Sequence, residues 1–347
     1  MMFISKSYRT FSTACLIFLT IFYSDLKAQE IHLSPFEPFG KHQEQFKNAW
    51  NKVQDFSYEK DQQSFQNYTI YLVSGISTKI YPPMVSILRS LGIFAPAGTA
   101  DSFYQQKVYL KKLGISFKEI DIATNGDPEE NGDTIAKAIL SSPRDAIVVS
   151  HSKGGLDVLY SMLRHPELTK KIKGWVSLQT PFFGTPLSET GKSFWPLSAF
   201  SRLFLFAVTN GTDSVGSMNQ PFRHAFYERH QDLIDKVLKE VPTIGLGTWF
   251  LYRPSSEKSL FELPKTKKSV LHPFIAKIYE TDGPNDGLVP LKSTCLPHMK
   301  CYFLGGLDHA NPVMMPGPFN DMGKSKRIHL TRVFLHLMLQ EIQEFSK

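Results

Sequence analysis

Apolar and polar positions follow two rhythms along this chain. Residues 68–74 form an apolar run of strand length, and 103–113 carry helical spacing. Residues 115–122 read as a second strand, 134–140 as a helix capped by Asp133, and 146–149 as a short, uninterrupted apolar strand of the kind buried on both faces. Leu156, Leu159, Tyr160 and Leu163 then recur at i, i+3, i+4 and i+7, which is one face of a helix. Further strands fall at 174–178, around 243–248 and at 302–304, and Leu330, Val333, Phe334 and Leu337 define a closing helix. This β-α-β-α order predicts an α/β fold: a mostly parallel sheet with helices on both faces.

Three segments depart from that rhythm. Phe46, Trp50 and Val53 predict one amphipathic helix within 43–56, so 29–66 reads as an N-terminal helical extension before a large domain at 67–347. Between residues 187 and 240 regularity is lost and Phe194, Trp195, Leu197, Phe200 and the run 203–206 crowd together. The segment reads as an inserted cap, the alternative being an ordinary pair of buried helices. Residues 251–269 are a Pro-, Ser- and Lys-rich loop whose lysine run at 265–268 reads as a solvated face.

The N-terminus changes the compartment. Lys6 and Arg9 precede an apolar run at 11–23, and Ala28 closes a cleavage site before Gln29, so 1–28 reads as an export signal peptide, with a retained anchor as the alternative. The run is shorter than the ~18–20 residues that span a bilayer. Cys15 lies within this leader, which leaves Cys295 and Cys301 in an oxidising compartment. They are a candidate short-loop disulfide, the alternative being two free buried thiols.

Composition fits one enzyme-sized domain with insertions, or two smaller domains. With 347 residues, 42% hydrophobic and 20% charged, the chain is too apolar for disorder and long enough for a large core. The net charge of +7 falls to +5 without the leader, and no basic stripe with interleaved aromatics appears, so nucleic acid is not an expected partner. Contact with an anionic lipid surface remains compatible with the excess.

The chemistry concentrates in one stretch. Residues 147–155, IVVSHSKGG, read as a strand, a sharp turn and a helix start with Ser152 at the apex. A strained turn of this kind needs small residues two before and two after the serine, and Ser150 and Gly154 meet that demand. The helix start also places backbone N–H groups where negative charge develops. Serine is a weak nucleophile at neutral pH, so a base and an orienting acid are required. Asp286, in PNDGLVP, supplies an acid and His309, just beyond the last strand, a base, in the order serine, acid, histidine. Each has a bland alternative: Asn-Asp-Gly is a common turn, Asp282 is a nearby competitor, and His298 and His272 are other histidines, though neither follows a strand. Asp308 is too close in sequence to orient His309, and His151 reads as a support for the turn.

Over about 68–313 these segments resemble the α/β-hydrolase superfamily, and within it bacterial lipases and serine esterases. VSHSKGGLD at 149–157 is similar to the lipase elbow, with Ser150 where glycine is usual. LQTPFFGTP at 178–186 is similar to a Thr-Pro-His-x-Gly loop, with Phe182 replacing the histidine. NDGLVP at 285–290 and DHAN at 308–311 match the segments carrying the triad acid and histidine. Val73, Ser74, Gly75 and Ile76 look like the His-Gly oxyanion loop, with serine for histidine. The resemblance implies catalytic Ser152, Asp286 and His309, with the oxyanion held by the backbone N–H groups of Ile76 and Lys153; the Lys153 side chain is expected in solvent. Some such lipases hold calcium through an aspartate two residues past the histidine, but Asn311 stands there, so no metal is expected.

The expected function is an exported serine ester hydrolase that forms an acyl-enzyme on an apolar acyl ester, with water completing the cycle and no cofactor. The same triad would serve a phospholipase, acyltransferase, thioesterase or polyester depolymerase. A catalytically inactive exported binding protein is the alternative from another class.

Overall fold

The central strands have little choice of structure, because their apolar runs leave no polar face to present to water. In a computed structural model, which describes residues 38–55, 57–75, 102–123, 126–188, 216–250, 272–314 and 322–347, they form one sheet of seven strands. These are β1 (Pro38–Phe39), β2 (Tyr68–Val73), β3 (Phe117–Glu119), β4 (Asp145–His151), β5 (Ile172–Leu178), β6 (Thr243–Trp249) and β7 (Lys300–Gly305). Their spatial order is β1-β7-β6-β5-β4-β2-β3. Six are parallel, and β1 closes one edge as a two-residue antiparallel strand, Pro38 opposite Leu304 and Phe39 opposite Phe303.

The helices are α1 (Gln43–Gln54), α2 (Tyr58–Phe65), α3 (Tyr104–Lys112), α4 (Pro128–Leu140), α5 (Lys153–Arg164), α6 (Leu168–Lys171), α7 (Gln220–Glu240), α8 (His272–Asp282) and α9 (Lys324–Phe345). Among the described residues no helix is long and apolar enough to cross a membrane. A core shared by β2, β4, α4, α5 and α7 joins Tyr71, Val148, Ile135, Leu156, Leu159, Phe226 and Ile234 around the fully buried Trp175 of β5. Leaving β2, the chain adds β3 on one side and then crosses back to place β4 on the other. The carboxyl ends of β2 and β4 therefore flank the point where the winding reverses, the crevice in which open α/β sheets bind ligands.

Several elements differ from the sequence reading. Helix α4 starts at Pro128, six residues before the expected 134, with Asp127 rather than Asp133 at its N-cap. Proline at the first position is preorganised for the turn, and Glu129 and Glu130 complement the helix dipole. Asp133 instead accepts hydrogen bonds from Arg164 at 3.1 Å and His165 at 2.8 Å. The expected extension at 29–66 is not set apart where it is described. Phe46 of α1 packs against Tyr302 and Phe334, and a second helix, α2, docks Asp61 on Arg332 and His336, so 38–66 belong to the same compact unit as the rest. Part of the expected cap at 187–240 belongs to the main fold. Its last 21 residues are α7, whose Phe226, Ile234, Val237 and Leu238 lie in the main core, while 189–215, with the aromatic crowd, lie outside the described residues. The leader at 1–28, Ile76 and the loop at 251–269 lie outside them too.

Candidate active site

Strand β4 ends and α5 begins with no linker between them, and Ser152 is the single residue at the junction. Its backbone, at φ 56° and ψ −134°, lies in a region that side chains other than glycine's rarely occupy and that costs about 1–3 kcal/mol. Neighbouring elements hold it there. Ser152 N–H donates to Leu178 O at 2.9 Å, and Gly155 N–H donates to Ser152 O at 3.0 Å. The small residues are required by close approach. A Cβ on Gly154 would come within 2.6 Å of Val73 O, and one on Gly75 within 2.8 Å of Ser152 Cβ and 3.2 Å of Lys153 N. The carboxyl end of β2 therefore runs directly against the elbow. Lys153 N–H, the first of α5, has no intrahelical acceptor and faces this junction.

The acid and the histidine meet. His309 Nδ1 lies 2.8 Å from Asp286 Oδ2, and His309 N–H donates to Asp286 O at 2.9 Å. The other carboxylate oxygen accepts from Leu288 N–H at 3.0 Å and Val289 N–H at 2.8 Å. Asn285 orders the turn by accepting from Gly287 N–H, where φ is 96° and glycine is favoured. Asp286 is thus an anchored, fully buried acceptor, which places the proton of a neutral His309 on Nδ1 and turns Nε2 away from the acid. The His309 and His151 rings lie 4.7 Å apart, so His309 sits beside the residue that precedes the elbow serine. Neither Ser152 Oγ nor His309 Nε2 is bonded to another described residue.

The competitors are placed elsewhere. Asp282 ends α8 tied to Gln220, Lys292 and Thr281. His298 is exposed, and His272 opens α8. Asp308 turns its carboxylate back onto the N–H groups of Ala310 and Asn311, and Asn311 Oδ1 accepts from Asp308 N–H, so these side chains shape the loop. Among the described residues no cluster of three histidine, cysteine or acidic side chains is arranged around a metal-sized site. Cys295 and Cys301 form a disulfide with Cα atoms 6.2 Å apart, joining the segment after the acid turn to β7.

One expectation changes. The Lys153 side chain is buried rather than solvated: its Nζ lies 2.9 and 3.2 Å from the oxygens of Asp157, one turn along α5. Burial raises the Asp157 pKa to about 6 against the opposing pull of Lys153. The departures from the lipase pattern also have a structural reason. Ser150 Oγ accepts from the Trp175 indole N–H at 2.8 Å, and Phe182 packs edge-on against the same indole, with centroids 5.9 Å apart. Serine and phenylalanine thus share one partner, and the tryptophan needs both the acceptor and the apolar wall.

Sequence reasoning missed Gln179. It is fully buried at φ 52°, and its side chain bonds His151, Thr248 and Asp308 O. Its place directly after β5 was the available signal.

No protein-family model matches the chain, and no curated protein matches it significantly by sequence. Solved structures do. A metagenomic carboxyl esterase aligns with TM-score 0.57 at 19% identity, covering 80% of this chain and 76% of its own. The mature form of a Bacillus licheniformis lipase aligns with TM-score 0.53 at 20% identity, covering 78% and 91%. A Staphylococcus hyicus lipase aligns with TM-score 0.50 at 10% identity, covering 81% and 97%. Together with the parallel sheet, the elbow at the end of β4 and the acid and histidine after later strands, these likenesses show that the chain has the α/β-hydrolase fold found in bacterial lipases and carboxyl esterases.

Proposed function

We propose that the protein is an exported serine ester hydrolase acting on apolar acyl esters. Ser152 Oγ attacks the ester carbonyl, His309 takes its proton and returns it to the leaving alcohol, and Asp286 fixes the imidazole tautomer and stabilises its cation. The tetrahedral oxyanion is held by Lys153 N–H and, by the resemblance, Ile76 N–H; losing one such donor typically costs ~10² to 10³ in rate. Water then hydrolyses the acyl-enzyme. The observation that carries this reading is the anchored Asp286–His309 bond of 2.8 Å, with the His309 ring packed on the residue that precedes a serine held in strained geometry, since an unused elbow would gain stability by relaxing that strain. The leader supports export, and the aromatic crowd at 194–206 supports an acyl chain as the group bound and transient contact with a lipid surface.

The test is a panel of p-nitrophenyl esters of graded acyl length, assayed as monomers and as micelles, with wild type and Ser152→Ala. Turnover that needs Ser152 and rises with acyl length is expected. Wild-type turnover no greater than that of Ser152→Ala on every ester would overturn the proposal.

A further inference from the structure

His309 stands on a loop that belongs to no helix or strand, and its reach toward Ser152 depends on where that loop's backbone lies. Side chains from four other places hold four of the loop's carbonyls. Gln179 Nε2 donates to Asp308 O at 3.1 Å, His151 Nε2 lies 3.1 Å from His309 O, Arg327 Nε donates to Asn311 O at 2.8 Å, and Gln106 Nε2 donates to Pro312 O at 2.8 Å. All four side chains are buried.

The His151 contact differs from the other three. A carbonyl only accepts, so His151 Nε2 carries the proton, and the ring donates it to His309 O and to Gln179 Oε1 at 3.0 Å. His151 Nδ1 is then a bare acceptor, buried with no partner among the described residues. Gln179 is itself pinned through Thr248 Oγ1 and Asp308 O. Because His151 directly precedes Ser152, its side chain links the backbone of the elbow to the backbone of the histidine.

We propose that His151, with Gln179 behind it, is a positioning residue that sets the distance between Ser152 and His309, acting through the backbone and not by proton transfer. This rests on the hydrolase reading above for its effect on rate, and on the hydrogen bonds alone for its effect on the loop. Displacements of about 1 Å between reacting groups cost on the order of 10²-fold in rate, while substrate binding elsewhere is left alone.

His151→Leu removes the donor in a similar volume, and His151→Gln returns an amide N–H near the position of Nε2. Gln179→Leu is a second variant should His151→Leu fail to fold, since it removes the bond to Asp308 O and leaves the imidazole in place. Two measurements are made: kcat and KM on p-nitrophenyl butyrate, and amide hydrogen exchange followed by mass spectrometry on peptides covering 304–312 and 243–249. In His151→Leu, kcat should fall by ~10²-fold with KM within about twofold. Exchange should quicken at 304–312 with no change at 243–249, and His151→Gln should recover most of both losses. Wild-type kcat and wild-type exchange in His151→Leu would overturn the proposal, as would a glutamine variant no better than the leucine variant. A wild type that turns over no ester would refute the hydrolase reading, and the exchange data would still decide whether His151 clamps the loop.

Discussion

Among the described residues two fully buried aspartates, Asp61 and Asp286, each bond a histidine, and the chemistry around them differs. Asp61 of α2 bonds His336 Nε2 at 2.7 Å, Arg332 Nε at 2.8 Å and the Tyr109 hydroxyl at 2.6 Å, so side chains from α3 and α9 converge on it. Asp286 bonds two backbone N–H groups and a single side chain, His309. The first carboxylate ties three helices together and has a permanent cation at its side; the second is set by its own turn and has only an imidazole. Around Asp61, burial pushes the pKa up, but the bonds from His336, Tyr109 and Arg332 outweigh it and hold the group below its ordinary value. An acid bonded to an imidazole thus occurs in two different settings. What lies beyond the ring differs as well: for His309 it is the residue preceding a strained serine, and for His336 the ring of Phe65.

Substitutions should separate the two pairs, and the largest effect is on rate. Asp286→Asn should lower kcat about 10⁴-fold by favouring the wrong tautomer of His309. The matching His336→Asn should leave kcat per folded molecule unchanged when activity is normalised to folded protein. Next comes stability. Asp61→Ala leaves Arg332 buried without its carboxylate and should cost about 3–5 kcal/mol in denaturant unfolding, with no change in kcat for the folded fraction.

Acid should loosen the two regions in a definite order. Burial lowers the His151 pKa to about 3, with the neighbouring His309 as the second cause, whereas an unfolded histidine titrates near 6.5. The unfolded chain therefore binds the extra proton first, and the stability from a neutral His151 is full above about 6.5 and lost as pH falls toward 3. Asp61 has the same sign at lower pH: its contribution is full above the ordinary carboxylate pKa near 4 and lost as pH falls through its depressed folded value. Hydrogen exchange between pH 7 and 4 should thus quicken at 304–312 before 57–65. Simultaneous loosening would show that one cooperative unit holds both. The smallest effect is expected from the disulfide. The Cys295–Cys301 bridge closes only a short loop, so its reduction should cost about 2 kcal/mol, read as a lower melting temperature under reductant.

The sequence discloses the parts of the candidate site better than their surroundings. The elbow is legible because β4 is a bare apolar run that meets an amphipathic helix at one serine. Asp286 and His309 are legible because turn residues and a short strand put them on loops after later strands. Lys153 is misread because one-dimensional pattern treats lysine as polar surface, whereas here an aspartate one turn away supplies a buried counter-charge. Helix α2 and the Asp61 cluster escape notice for a related reason: YEKDQQSF carries almost no apolar face, and its partners lie on α3 and α9, distant in the chain. That the end of the expected cap is a core helix is hard to read because α7 spreads its few core residues among exposed polar ones along 21 positions.

The central claim is that Ser152 is a nucleophile activated by His309, and a fluorophosphonate probe reads it directly. After labelling and proteolysis, mass spectrometry should find the phosphonyl adduct on Ser152, with none in Ser152→Ala and labelling slowed at least ~10³-fold in His309→Asn. An adduct on another residue, or Ser152 labelled equally fast without His309, would contradict it.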